Sequence, residues 1–168
     1  MMQDFIKPVL ALSLICLVMA GALALVNNVT APIILEAAAE RAAVARLAII
    51  PEANEFILIE NDNFPLNVVE AFTTTNNVGY IFVVNSRGFG GTMRIMVGIA
   101  PGGNIIRSEI LAQEESPGFA DRVSASVDAA GGNILYVDAV SGATVTFGAY
   151  KGAVEAAFEA FEIIRRGN

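Results

Sequence analysis

A chain of 168 residues is long enough for one compact domain with a short appendage, and too short for two full domains. The absence of histidine excludes histidine-based nucleophile triads, the usual haem ligation and most catalytic zinc sites, and a single cysteine excludes an internal disulfide. A net charge of −7 with scattered basic residues argues against nucleic-acid binding.

The apolar residues are concentrated at the N-terminus. Residues 8–35 carry no charge, and residues 8–26 are apolar except for Ser13. As a helix rising about 1.5 Å per residue, residues 8–26 span about 28 Å, which is close to the hydrocarbon thickness of a bilayer. We therefore predict a transmembrane helix over residues 8–29, preceded by a short cytoplasmic N-terminus of residues 1–7.

A cleaved signal peptide is the main alternative to this anchor. The small-residue triplets at 20–22 and 22–24 resemble cleavage sites, but the apolar run is longer than the roughly 7–15 residues of a signal-peptide core. An uncleaved single-pass anchor is therefore favoured. Lys7 precedes the span, whereas Glu36 and Glu40 are the first charges after it, so the positive-inside rule predicts an extracytoplasmic C-terminal domain on a cell membrane.

A second helix is predicted after the span. The segment Thr30–Pro32 predicts a break, because proline is tolerated in a first helical turn but not in a helix interior. Residues 36–50 are rich in strong helix formers, and Pro51 follows them. We therefore predict a juxtamembrane helix within residues 30–51 and an extracytoplasmic domain over residues 52–168.

The predicted domain alternates glycine-rich turns with runs of β-branched and aromatic residues, which are typical of antiparallel strands. An apolar stripe at helical spacing predicts a closing helix over residues 146–166, while the low-complexity stretch between Val123 and Gly132 predicts only a link. The fold class is therefore α+β, an antiparallel sheet with flanking helices. The predicted strands cover residues 56–59, 66–69, 78–85, 92–99, 105–111 and 134–140.

Two motifs near the predicted strands allow both a functional and a structural interpretation. The glycines at 88, 90 and 91 could cradle a phosphate, but they lack the spacing of the dinucleotide and P-loop motifs and they join two strands. A tight hairpin turn is therefore favoured. The adjacent Glu114 and Glu115 could form a catalytic pair, although adjacent glutamates more often belong to a solvated loop, and we expect the loop.

The segment 138–146 places a small, hydroxyl-rich turn directly before the closing helix. Unpaired backbone N–H groups and the positive end of the dipole make a helix start suitable for holding an anion such as a phosphate. The hydroxyls of Ser141, Thr144 and Thr146 also suit a simple N-cap, because serine and threonine are common caps. Taken alone, the turn favours the cap.

Together these features resemble the FMN-binding domain proteins represented by the G subunit of Rnf complexes and by the C subunit of Nqr, the sodium-pumping NADH:quinone reductase. The strongest similarity is Asp138-x-x-Ser141-Gly142-Ala143-Thr144, which looks like the flavinylation motif of that family. Gln113 departs from the family, which often has a histidine nearby. Further similar features are the N-terminal span, Asn27-x-x-Thr30-x-Pro32, Gly79-Tyr80, Gly90-Gly91 and Glu115-Ser116-Pro117-Gly118.

The resemblance implies that Thr144 carries one FMN per chain through a phosphoester bond to its hydroxyl. Because like charges repel, we assign Asp138 not to the phosphate but to recognition by the transferase that attaches the flavin, with Mg²⁺ recruitment or local hydrogen bonding as the alternatives. The phosphate end of FMN would be shaped by Ser141, Gly142, Ala143 and Thr146. The flavin ring would lie near Glu115, Ser116, Pro117, Gly118 and Phe119, with Tyr80 as a further contact.

The resemblance also implies a function and partners. The chain would be a membrane-anchored subunit of an Rnf-type ion-translocating ferredoxin:NAD oxidoreductase, relaying electrons without being catalytic alone. Its partners would be the other Rnf membrane subunits, including a second flavinylated one, and a flavin transferase of the ApbE type using FAD and Mg²⁺. An Nqr-type C subunit and a stand-alone extracytoplasmic flavin carrier stay open. So does a different class, an anchored binding or assembly module whose turn only caps the last helix.

Overall fold

The computed structural model describes residues 2–115, 118–131, 133–137 and 140–167, with the backbone alone described at residues 2–7, 119 and 128. The chain divides into two compact units, Met1–Arg41 and Ala42–Asn168. The elements in chain order are α1 (Met2–Ile49), β1 (Phe56–Leu58), β2 (Val68–Thr74), β3 (Tyr80–Arg87), β4 (Thr92–Ile99), β5 (Ile105–Gln113), α2 (Phe119–Ala129), a 3-10 helix (Ile134–Tyr136) and α3 (Thr144–Gly167).

The N-terminal helix α1 is long and apolar enough to cross a membrane, as both an anchor and a signal sequence require. The predicted break at Thr30–Pro32 is wrong, because α1 continues through Pro32 to Ile49. Strong helix formers on the C-terminal side of Pro32 maintain the helix although this residue has no N–H to donate. The Thr30 hydroxyl donates to the carbonyl of Val26 at 2.9 Å, so this polar group is satisfied within α1.

The five strands form one antiparallel sheet in sequential order, β1-β2-β3-β4-β5. The long central pair is in regular register, with Phe82 opposite Val97. The predicted strand 92–99 matches β4, and the predicted strands 78–85 and 105–111 correspond to β3 and β5 with shifted ends. The predicted α+β fold with an antiparallel sheet and flanking helices is confirmed.

One face of the sheet is covered by the helices that follow it. The apolar stripe predicted for the last helix is confirmed, because Phe147, Tyr150, Val154 and Phe161 of α3 are all buried. They belong to one core with the inward side chains of β3 and β4. The long helix that begins at Thr144 is thereby fixed on the sheet along its apolar face.

The opposite face is also buried. Ile49 and Ile50, at the end of α1, form a second core with Ile81 and Val83 of β3. The Arg46 guanidinium lies over the ring of Phe72, 4.6 Å from its centroid. Because both faces of the central strands are covered, β3 reads as a continuous apolar run and not as an alternating one.

Two predictions between β5 and α3 are wrong. The low-complexity link contains helix α2, whose buried apolar side chains, among those that the structure describes, are Ala120, Val123 and Val127. This apolar pattern is too short to indicate a helix from the sequence. The strand predicted over 134–140 does not form in the described part of that segment. Residues 134–136 form a 3-10 turn instead, because the Asn133 side chain accepts the N–H of Leu135 at 2.9 Å and caps it.

Candidate functional site

The hydroxyl-rich turn leads directly into α3, as predicted. The N–H of Ala143 donates to the carbonyl of Val140 at 3.0 Å, and Gly142 has a φ of +77°. A side chain at this φ is strained, so glycine is the residue that suits the turn. The turn delivers the chain to the first helical residue, Thr144, where the N–H groups have no intrahelical acceptor.

The structure separates the three hydroxyls of this segment. Ser141 and Thr144 are exposed, whereas Thr146 is buried and its Oγ1 donates to Oε2 of Glu115 at 2.8 Å. The residue before α3 is Ala143, so no hydroxyl occupies the position of an N-cap. The simple cap that the turn alone favoured is therefore not what the structure shows.

A pocket lies beside the start of α3. It has a volume of about 270 Å³, slightly below the roughly 300–1,000 Å³ of typical ligand pockets. Thr144 lines it from the helix, and Phe89, which is 69% exposed, lines it from the turn between β3 and β4. The remaining lining residues are Gly142, Ala143, Val145 and Thr146.

Phe89 is a site residue that sequence reasoning missed. The tight turn predicted at residues 88–91 is confirmed, since it joins β3 to β4 and the N–H of Gly88 donates to the carbonyl of Gly91 at 2.9 Å. A large aromatic side chain at the tip of an exposed turn has no role in the core. The signal in the sequence was an aromatic residue between two glycines of a turn, Gly88 and Gly90.

The solvated loop predicted at Glu114 and Glu115 is confirmed for Glu114, which is exposed, and wrong for Glu115, which is buried. Both carboxylates accept backbone N–H groups of the hairpin. Glu114 accepts the N–H of Thr92 at 3.2 Å. Glu115 is 8% exposed and accepts the N–H of Gly90 at 3.2 Å in addition to the Thr146 hydroxyl. A carboxylate with two donors inside the protein is a structural connector, not a solvated charge.

Gln113 contributes to the same corner. Its side-chain carbonyl accepts the N–H of Glu115 at 2.6 Å, at the point where β5 ends. This bond shapes the turn that directs the Glu115 side chain inward. The residue that departs from the family pattern therefore has a structural role at the end of β5.

The other predicted ring contacts are distributed as follows. Tyr80 does not reach the pocket, because its ring packs edge-on against Phe161, 5.5 Å between centroids. At about 1.5 Å per residue, Phe161 is about 25 Å along the axis of α3 from Thr144. Gly118 lies at the start of α2 with a φ of +87°. Ser116, Pro117 and Asp138 lie outside the described residues, as does the side chain of Phe119.

A positive charge also lies beside the turn. A Cβ placed on Gly142 would be 3.1 Å from Nη1 of Arg122, so this guanidinium lies against the turn that precedes Thr144. The start of α3 carries the positive end of the helix dipole. Two positive features side by side repel each other, and a bound anion would relieve that repulsion. Arg122 is the second residue that the sequence did not single out.

Part of the chain matches the model of a known protein family. Residues 88–159 match the model of the FMN-binding domain family. The matched range begins at the hairpin turn that carries Phe89 and includes Glu115, Thr144 and most of α3. No curated protein matches the chain.

Proposed function

Because residues 88–159 match the model of the FMN-binding domain family, we propose that the chain is a membrane-anchored flavoprotein with one FMN bound covalently through the hydroxyl of Thr144. The observation that carries this proposal is the position of Thr144, which is exposed and lines the pocket at the start of a long buried helix. Thr146, two residues later, has its hydroxyl buried and bonded to Glu115. Attachment is therefore expected at Thr144 and not at Thr146.

The surroundings of Thr144 suit a phosphate. Unpaired N–H groups of the first turn of α3 and the dipole of the helix favour an anion there. The Arg122 guanidinium supplies a full positive charge from α2. Ser141, Gly142 and Ala143 leave the approach to the hydroxyl open, because their side chains are small.

The surroundings also suit the flavin ring. Phe89 presents an exposed aromatic side chain on the far side of the pocket from α3. Aromatic faces stack favourably on flat ring systems. Bound FMN supplies electron transfer, while this chain's residues hold the phosphate, orient the ring and shield one of its faces.

We expect a separate enzyme to modify Thr144. A threonine hydroxyl is a weak nucleophile without an adjacent base, the chain has no histidine, and Glu115 accepts bonds from Thr146 and Gly90. A separate transferase of the ApbE type, using FAD and Mg²⁺, would therefore form the bond. The Thr144 oxygen would displace AMP from the FMN phosphorus of FAD and lose its proton, and Asp138 would serve recognition by the transferase.

The N-terminal helix supports the membrane part of the proposal. α1 is long and apolar enough for an anchor. The length of the apolar run supports an anchor over a signal peptide, and the charges around it support a domain outside the cytoplasm on a cell membrane. We assign the chain to an Rnf-type complex with the other Rnf membrane subunits as partners, one of them also flavinylated. An Nqr-type C subunit and a stand-alone carrier are the alternatives.

The test is to produce the full chain together with the transferase and to analyse it under denaturing conditions. We expect fluorescence that stays with the protein band and an FMN-modified peptide with the mass addition on Thr144. Thr144→Ala should abolish the modification, while Ser141→Ala, which removes the other exposed hydroxyl of the turn, should retain it. Flavin that is lost on denaturation, or a modification at another residue, would contradict the proposal. If the wild-type protein is colourless and the Thr144→Ala variant folds as well as the wild type, the chain is an anchored binding or assembly module.

A further inference from the structure

The pocket beside Thr144 is built from two segments that are far apart in the chain. One wall is Phe89 of the hairpin turn, and the other consists of residues 142–146 at the start of α3. Loops such as this turn move more easily than the helix opposite. The relative position of the two walls decides where a flavin tethered to Thr144 can rest.

A single side chain connects the two walls. Oε1 of Glu115 accepts the N–H of Gly90 at 3.2 Å, and Oε2 accepts the hydroxyl of Thr146 at 2.8 Å. The carboxylate approaches the turn so closely that a Cβ on Gly88 would lie 1.8 Å from Oε1. A side chain at position 88 would therefore push the Glu115 carboxylate away from the turn.

The bond to Thr146 also sets the direction of Thr144. Residues two apart in an α-helix point about 200° apart around its axis. Since Glu115 holds Thr146 inward, Thr144 points outward into the pocket. The same carboxylate therefore fixes the turn that carries the aromatic ring and the helix face that carries the attachment point.

We propose that Glu115 is a positioning residue for the flavin, acting through Phe89 and not by contact with the reacting atoms. This role rests on the proposed attachment of FMN at Thr144. By holding the hairpin turn against α3, Glu115 keeps Phe89 opposite Thr144 and confines the ring between them. Glu114 carries the same charge, but within the part of the chain that the structure describes its carboxylate accepts the N–H of Thr92 and no group of α3, so it does not connect the two walls.

The chemistry of the amide offers a conservative rescue. In Glu115→Gln the amide oxygen accepts the N–H of Gly90 and the amide nitrogen donates to the Thr146 oxygen, so both bonds persist. Glu115→Ala removes both. Gly88→Ala retains the carboxylate but displaces it from the hairpin turn. Glu114→Ala is the matched control.

The hydrogen bond from the Gly90 N–H to Glu115 can be measured without flavin, in the full chain made without the transferase. Hydrogen exchange at the Gly90 amide reports whether its bond to Glu115 is present. We expect exchange to rise about tenfold or more in Glu115→Ala and Gly88→Ala, and to stay near the wild-type rate in Glu115→Gln. Unchanged exchange in folded Glu115→Ala would overturn the proposal.

The effect on the cofactor is measured in the flavinylated full chain, at equal covalent FMN content. Glu115→Ala should lower the fluorescence anisotropy of the flavin and raise its quenching by iodide towards the values of free FMN. Phe89→Leu should do the same without changing exchange at Gly90, whereas Glu114→Ala and Glu115→Gln should resemble the wild type.

The outcomes separate this inference from the proposed function. A wild-type chain without covalent FMN contradicts the attachment at Thr144, and the exchange rates then still decide whether Glu115 holds the turn. Covalent FMN with anisotropy and quenching that do not respond to Glu115→Ala overturns the positioning role alone. If Glu115→Ala does not fold, Thr146→Val and Gly88→Ala are judged by the same criteria.

Discussion

Replacing Thr146 by valine tests how much the buried bond to Glu115 contributes to stability. Valine has nearly the shape of threonine, so packing around this 1% exposed side chain is retained while the hydroxyl donor is lost. One oxygen of the buried carboxylate then loses its donor. Hydrogen bonds to charged groups contribute about 1.5–3 kcal/mol, so we expect Thr146→Val to lower the free energy of unfolding by that amount.

The expected change in melting temperature follows from the size of the folded unit. The unit Ala42–Asn168 has 168 − 41 = 127 residues. At about 2.1 cal/mol/K per residue its unfolding entropy is about 270 cal/mol/K, so the loss corresponds to about 6–11 °C. Circular dichroism of the full chain in detergent would measure it.

Two comparisons decide the interpretation of that result. Thr146→Ser keeps the hydroxyl and removes one methyl group, so it should cost about 0.5–1.5 kcal/mol. Covalent FMN should still attach to Thr146→Val, because Thr144 is unchanged. A Thr146→Val protein within about 0.5 kcal/mol of the wild type would refute the idea that this bond connects the hairpin to α3.

Three further changes test other parts of the structure. Gly142→Ala should destabilise the protein by about 1–2 kcal/mol, because the φ of +77° at this position is unfavourable for a side chain. Gly148→Ala, in the exposed interior of α3, should stabilise the protein by about 0.5–1 kcal/mol. Equal effects of the two substitutions in thermal unfolding would contradict this. Flavinylation of Thr144 should raise the melting temperature less in Arg122→Gln than in the wild type. Added salt should reduce the rise in the wild type. An equal rise in the wild type and in Arg122→Gln would exclude a charge contact between Arg122 and the phosphate. Val154→Ala should lower the free energy of unfolding by about 2–4 kcal/mol, measured by chemical denaturation, because Val154 is fully buried. A decrease below about 0.5 kcal/mol would contradict the core described for α3.

The sheet could be predicted because its strands carry a strong local signal. β-branched and aromatic runs between glycine turns located β3, β4 and β5, and the apolar stripe located α3. Helix α2 was missed because few apolar residues mark its buried face, which among the described side chains consists of Ala120, Val123 and Val127. The continuation of α1 through Pro32 was missed because a local rule for proline was applied where neighbouring helix formers outweigh it.

The candidate site likewise contains residues that the sequence could indicate and residues that it could not. Thr144 and its turn are contiguous in sequence, so a motif could indicate them. Glu115 acts on Gly90 and Thr146, which are 25 and 31 residues away, and no local pattern encodes such pairs. Phe89 and Arg122 reach the same turn only because the hairpin, α2 and α3 converge there.

The most direct test of FMN attachment at Thr144 is peptide mass spectrometry of the full chain produced with the flavin transferase, under denaturing conditions. We expect one FMN per chain, bound through a phosphoester on Thr144, and no modification of Ser141 or Thr146. An unmodified Thr144 in protein from cells with an active transferase, or FMN on either of the other two hydroxyls, would contradict it.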